Sequence, residues 1–214
     1  MAKNKKHIFD IEKLNIEKVS KELFMSYSEY VEHLLEKYGC SAYDYFRTPT
    51  CKSKNPKISR VEEGLYCHHI DEDKAIMLSM PEVAKLYPFE YQKADRLAYC
   101  NILEHLLLHI KIAEERKDVA SEVGMGGVAL ITEEINAHIQ RGYSAGWRKN
   151  TMKIIDENYV EYIYTLVYLR QFLKGDPLYK EHLLFQDKFL CFTGKDFCKK
   201  VWNDIQCMIK ELKI

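Results

Sequence analysis

The sequence predicts an α+β fold: a mostly helical domain around a small ββα core of two short strands and one helix, with a metal site on that core. Three observations predict it. Over most of the chain, apolar residues recur at three- and four-residue steps, the period of helices packed on one face. Between residues 64 and 79 that period gives way to two short strand-like runs, Leu65 to Ile70 and Ala75 to Leu78, joined by the polar turn Asp71-Glu72-Asp73-Lys74. Four of the eight histidines then fall in two short pieces, Cys67-His68-His69-Ile70 and Glu104-His105-Leu106-Leu107-Leu108-His109.

Composition bounds the rest. A chain of 214 residues that is 47% hydrophobic and 30% charged is globular, with room for one large domain or two small ones. Its formal net charge of zero argues against a generally basic nucleic-acid coat and leaves room only for a local basic patch. Seven cysteines, an odd number without a Cys-x2-Cys pair, suit a reducing compartment, so a cytoplasmic location is expected. No apolar stretch follows the basic start Met1-Ala2-Lys3-Asn4-Lys5-Lys6, and no run reaches the roughly 18 apolar residues of a membrane span. Neither a secretory signal nor a membrane partner is expected. Three regions follow: 1–60, a helical N-terminal region with a basic loop; 61–118, the ββα core; and 119–214, a helical support region that could also form a homodimer surface.

In chain order, residues 1–18 are polar. Residues 20–38 predict one amphipathic helix on Leu23, Tyr27, Tyr30, Leu34 and Tyr38, ended by Gly39, with His33 as a structural histidine beside its apolar face. Residues 47–60 carry Arg47, Lys52, Lys54, Lys57 and Arg60 with no acidic residue, and Pro49 and Pro56 exclude a continuous helix. This is either a phosphate-gripping loop or a solvated linker. After the hairpin, Ser79 and Pro81 start a short helix that ends near Tyr87-Pro88, inside an insertion of residues 80–94 between hairpin and metal helix. The metal helix is expected from Gln92 or Asp95 to Arg116, burying Leu103, Leu106, Leu107 and Ile110 with His105 and His109 at the border. Lys111, Arg116 and Lys117, diluted by Glu114, Glu115 and Asp118, read as ordinary surface. Gly124, Gly126 and Gly127 lack the spacing and the Lys-Ser/Thr end of a phosphate loop.

Thr132 then caps a short helix from Glu133 to near Gly142, where His138 is structural or exposed. The loop from Gly142 to Asn150, with Arg141, Tyr143, Trp147, Arg148 and Lys149, mixes aromatic and basic residues that can stack on bases or simply anchor the loop. A helix from about Asp156 to Leu173 follows, on Tyr159, Ile163, Leu166, Arg170 and Leu173, and is stopped by Gly175-Asp176-Pro177. Residues 178–188, with His182, suggest a short helix. The last helix begins after Thr193 or Gly194 and buries Val201, Trp202, Ile205, Met208, Ile209 and Leu212.

The histidine spacing carries the chemistry. His105 and His109 project from one helix face a turn apart and can reach one divalent ion. His68 and His69, alternating on a strand, cannot both point the same way, so one can bind the ion while the other faces substrate or water. Imidazole serves as ligand and as a base near neutral pH. One of Asp71, Glu72 and Asp73 can orient an imidazole, or the three form a solvated acidic turn.

This arrangement resembles the HNH, or His-Me finger, endonucleases. His68-His69-Ile70 matches the opening of their motif, and Asp95 to His105, closing at His109, matches its end. The resemblance covers roughly a quarter of the chain, about residues 65–112. It implies His68 as metal ligand, His69 as general base, His105 as ligand and His109 as ligand or phosphate contact. Arg96 stands about nine residues before His105, where the family has its middle asparagine; a guanidinium there can clamp a phosphate or support a ligand. Asn101 comes later, and the family's common flanking Cys-x2-Cys zinc pairs are missing.

The function so implied is a metal-dependent endonuclease hydrolysing phosphodiester bonds in DNA, with DNA as the expected partner and RNA left open. Mg²⁺ or Mn²⁺ follows from the resemblance, whereas three imidazoles by themselves favour Zn²⁺ or Ni²⁺. Lys52, Lys54, Lys57, Arg60, Trp147 and Arg148 are the expected nucleic-acid contacts. The alternative is a non-catalytic nucleic-acid-binding or protein-interaction protein with a metal-stabilised ββα core.

Overall fold

Two capping boxes decide where the helices nearest the histidines begin. The structure, a computed structural model, describes residues 9–116, 123–142, 146–173 and 199–213. The single helix expected over 20–38 is two, α1 (Ile16–Phe24) and α2 (Tyr27–Tyr38). The break has a cause. The Ser26 side chain accepts the Glu29 N–H while the Glu29 carboxylate accepts the Ser26 N–H, which restarts the helix at Tyr27. Gly39 ends α2 as expected, at φ +76, donating its N–H to the Leu35 carbonyl.

The core elements follow as β1 (Tyr66–His69), α3 (Pro81–Ala84), β2 (Leu97–Cys100) and α4 (Ile102–Arg116). The expected strand over 75–78 is absent. Met77 sits at φ +56 and the Ala75 N–H is taken by the Asp71 carbonyl, so this stretch turns rather than extends. β1 pairs instead with β2, antiparallel, Tyr66 opposite Cys100 and His69 opposite Leu97. The insertion therefore lies within the strand pair, as residues 70–96, not after it. α4 starts later than expected, at Ile102, because the Asn101 side chain accepts the N–H groups of Leu103 (2.9 Å) and Glu104 (3.0 Å), while Glu104 accepts the Asn101 N–H (2.7 Å). The fold is thus α+β and mostly helical, with one two-stranded sheet among the described residues.

The chain divides into two compact units. Residues 25–125 form one, and it holds α2, both strands, α3 and α4. In it, Tyr45, Phe46, Cys51, Ile58, Ala84 and Leu97 form a buried cluster against which Cys67 and Phe89 pack. Lys111, expected at the surface, is buried and donates to the Met25 carbonyl (2.6 Å); Glu115 accepts the Tyr27 N–H (2.7 Å). These two bonds fasten the start of α2 to α4. Lys117 and Asp118 lie outside the described residues.

The other unit comprises residues 1–24 and 126–214. It holds α1, all but the first residue of α5 (Met125–Arg141), α6 (Trp147–Thr151), α7 (Lys153–Glu157), α8 (Tyr159–Leu173) and α9 (Lys199–Leu212). α5 begins well before Thr132, which is buried inside it. Val128 and Ile131 extend the buried face upstream, and the glycines of the first turn do not stop it. α9 buries Val201, Ile205 and Met208, and its Asp204 accepts the Tyr159 hydroxyl of α8 (2.6 Å). His138 pairs with Asp156 at 2.9 Å. Tyr143, the stop at residues 175–177, the helix expected over 178–188 with His182, and the start at Thr193 or Gly194 lie outside the described residues. Among the described residues, no helix is long and apolar enough to cross a membrane.

Candidate metal centre

Strand alternation separates the tandem histidines. Tyr66 and His68 face α4: the His68 ring lies 5.3 Å from the rings of both His105 and His109, and Tyr66 lies 5.5 Å from His105. Cys67 and His69 face the other way, toward the Tyr45 cluster, with the His69 and Tyr45 rings 4.3 Å apart. Ala98 opposite His68 keeps that position of the sheet small. On α4 the pair at i and i+4 closes to 3.3 Å between the Nε2 atoms of His105 and His109.

A fourth group completes the set. Glu72, in the 3-10 turn Ile70–Asp73 that follows β1, places Oε2 at 3.4 Å from both His68 Nδ1 and His109 Nε2. One ligand atom from each of His68, Glu72, His105 and His109 lies within 4.8 Å of all the others, and together they can hold a metal ion. An ion with tetrahedral bonds of about 2.0–2.1 Å sets its ligand atoms about 3.4 Å apart. Three of the edges here already have that length. His68 Nδ1 is buried without a hydrogen-bond partner, as are the Nδ1 atoms of His105 and His109. Burial, reinforced by the neighbouring imidazoles, holds His68 and His105 well below the ordinary histidine pKa, and burial takes His109 down to about 4. All three rings are therefore neutral near pH 7, the form that ligates. Burial pushes the Glu72 carboxyl up to about 7. His109 and Glu72 keep 12% and 14% of their side-chain surface exposed, so the centre opens to solvent on that side.

His69 is not part of this set. It is buried, and its Nε2–H donates to Gln92 Oε1 at 2.9 Å; the Gln92 amide in turn donates to the Leu78 carbonyl at 3.2 Å, which fixes which end of the amide faces the imidazole. His69 Nδ1 faces Glu72 Oε1 at 3.9 Å, beyond direct hydrogen-bond reach. Burial lowers the His69 pKa to about 4. Arg96 is committed elsewhere: Nε and Nη2 donate to the two Asp71 oxygens at 2.7 and 2.6 Å. Burial raises Asp71, but the Arg96 and Lys74 bonds outweigh it and hold the carboxyl below its ordinary value. Arg96 precedes β2 and Asp71 follows β1, so this fork pins the turn that carries Glu72.

The expected nucleic-acid contacts fall into both units. Lys52, Lys54 and Lys57 are exposed, with Lys54 over the Tyr45 ring (4.5 Å) and Lys57 over Tyr43 (5.0 Å). Arg60 forks onto Glu63, donates to the Tyr38 carbonyl and stacks on Tyr99. In the other unit Trp147 is exposed, with Arg148 stacked on it at 4.6 Å and bonded to Glu134.

Three site residues escape a reading by spacing: Glu72 as a ligand, Gln92 behind His69 and Tyr27 behind His68. Only Glu72 left a signal, its place three and four residues past the tandem histidines. One further support is legible in the backbone. Gly124 (φ +89) lies against α4 so closely that an added Cβ would stand 2.5 Å from Ala113 N and 2.6 Å from the His109 carbonyl oxygen. Gly124→Ala is expected to lower stability by more than about 1 kcal/mol and to weaken metal binding through His109, read by thermal melting and calorimetry.

No protein-family model, curated protein or solved structure matches the chain.

Proposed function

We propose that the unit of residues 25–125 is the catalytic unit of a divalent-metal-dependent endonuclease of the His-Me finger type, hydrolysing phosphodiester bonds in DNA. The observation that carries this reading is the meeting of His68 from β1 with His105 and His109 from α4, in strand–strand–helix order. A divalent ion held there would supply charge neutralisation at the phosphate and at the departing 3′-oxygen. His68, His105 and His109 would hold it through neutral nitrogens. His69, oriented by Gln92 through Nε2, accepts the proton of the attacking water at Nδ1. Arg96 acts through Asp71, holding the turn that presents Glu72. The donor set of three imidazoles and a carboxylate favours Zn²⁺ or Ni²⁺, while the family resemblance favours Mg²⁺ or Mn²⁺.

A second reading has its own support. With Glu72 as a fourth ligand the set would leave no open position, the habit of structural rather than catalytic zinc. The protein would then bind nucleic acid or another protein on a metal-stabilised ββα core. One experiment separates the two: supercoiled plasmid and a structured RNA are incubated with the protein and Mg²⁺, Mn²⁺, Ni²⁺ or Zn²⁺ in turn, with a chelator control. Nicked or linear plasmid with one or more ions, and none with chelator, is expected. Metal binding that raises the melting temperature without cleavage of either substrate replaces the enzyme with the structural reading.

The exposed lysines of the basic loop are proposed to contact phosphates. Changing Lys52, Lys54 and Lys57 together to Gln should weaken DNA binding and flatten the plot of log affinity against log salt by about 2 to 3 in slope. A filter-binding series with unchanged slope reduces the loop to a linker.

A further inference from the structure

Each tandem histidine has a buried partner on its Nε2, and the partner of His68 comes from α2, far away in sequence. Tyr27 is buried, with its hydroxyl 2.8 Å from the Ile70 carbonyl oxygen and 2.9 Å from His68 Nε2. A hydroxyl has one proton and a carbonyl can only accept. The contact with Ile70 therefore takes the Tyr27 proton, and the contact with His68 must be made by a proton on the imidazole. A phenol, with an ordinary pKa of about 10, keeps its proton at working pH.

The alternative proton position is close at hand. His68 Nδ1 lies 3.4 Å from Glu72 Oε2, without hydrogen-bond geometry. Left to itself, that carboxylate would draw the proton onto Nδ1 and occupy the nitrogen on the Glu72 side of the four-residue set. Tyr27 opposes this with the shorter contact.

We propose that Tyr27 is a positioning residue that locks His68 as the Nε2–H tautomer and thereby keeps Nδ1 as an open lone pair for the metal ion. This deepens the metal-centre reading and rests on it for its purpose, although the tautomer itself exists without an ion. The lock is held from three sides. The Ser26–Glu29 capping box starts α2 at Tyr27, Glu115 accepts the Tyr27 N–H, and Lys111 holds the Met25 carbonyl. A partner on the far nitrogen of a ligating histidine fixes ring and tautomer, and its loss commonly weakens metal affinity about 10- to 100-fold.

The test is long-range ¹H–¹⁵N NMR of the histidine rings in chelator-treated protein, for wild type and Tyr27→Phe, followed by calorimetric titration with Zn²⁺ and Ni²⁺. Wild type should show His68 protonated on Nε2 alone. Tyr27→Phe should show a population protonated on Nδ1, and its metal affinity should fall about 10- to 100-fold while its circular dichroism stays that of wild type. Wild-type His68 protonated on Nδ1 overturns the proposal whether or not the variant folds. So does a variant whose tautomer is unchanged, even if its affinity or melting temperature drops, since packing alone would do that. A wild-type chain that binds no divalent ion but shows the Nε2–H tautomer overturns the metal-centre reading and with it the purpose assigned to the lock, and the spectrum tells that failure from the others.

Discussion

Replacing His105 with Ala should abolish metal binding at ion concentrations that saturate the wild type. His105 stands on the first turn of α4, with Nε2 3.3 Å from His109 Nε2 and its ring between those of Tyr66 and His68. Without it, His68, Glu72 and His109 remain on one side of an ion and the fourth direction is void. The loss should exceed the about 10- to 100-fold typical of a partner behind a ligand, since here a ligand itself is gone. Alanine is a good helix former, so α4 should persist. Two measurements check this. Calorimetry with Zn²⁺, Ni²⁺ and Mn²⁺ should show one site in wild type and an affinity at least about 100-fold lower in the variant. Thermal melting at an ion concentration near 100 times the wild-type Kd should show a stabilisation of about 2.7 kcal/mol in wild type and almost none in the variant. His33→Ala is the control, because His33 stacks on Tyr30 and takes no part in the four-residue set. Unchanged stoichiometry and affinity in the His105 variant would remove the centre as drawn.

What the sequence could say about this centre follows from which forces are local. The i, i+4 pair on a helix and the alternation along a strand are set by backbone periodicity, so the convergence of His68, His105 and His109 was readable. The strand partner was not. Leu97-Ala98-Tyr99-Cys100 is fully buried and runs directly into the apolar face of α4, and a continuous apolar run does not distinguish strand from helix. The Asn101-x-x-Glu104 capping box was the signal that could have moved the helix start to Ile102. Likewise the Ser26-x-x-Glu29 box marked the break between α1 and α2.

Glu72 shows the other limit. Its place depends on the Arg96–Asp71 fork across 25 residues, and no local pattern announces a salt bridge of that separation. Tyr27 and Gln92 reach the tandem histidines across 41 and 23 residues for the same reason. The charge of the basic loop was legible, yet the use of Arg60 was not, because its fork onto Glu63 and its bond to the Tyr38 carbonyl draw on neighbours outside the loop.

Changing His69 to Ala should slow DNA cleavage by roughly 10²–10⁴-fold while leaving metal binding largely in place, the scale expected for loss of a positioned general base. The geometry separates the two effects. His69 points away from His105 and His109 and touches the centre only through Glu72 Oε1, 3.9 Å from its Nδ1. Its other nitrogen is taken by Gln92, so the free lone pair is the one on the Glu72 side. Burial holds its pKa down to about 4, so this lone pair is available throughout the neutral range. Protonation removes it only as pH falls through that value, and the contribution of His69 to the rate should be flat from pH 6 to 8 on this account. The variant leaves a hole beside Tyr45 and strips Gln92 of a partner, which should lower stability by on the order of 1–3 kcal/mol without unfolding the unit. Plasmid nicking in the ion that supports wild-type activity, at matched metal occupancy and over pH 6 to 8, is the measurement. Full-rate cutting by the His69 variant would reject His69 as the base and turn attention to Glu72, whose raised carboxyl is the other proton acceptor beside that gap.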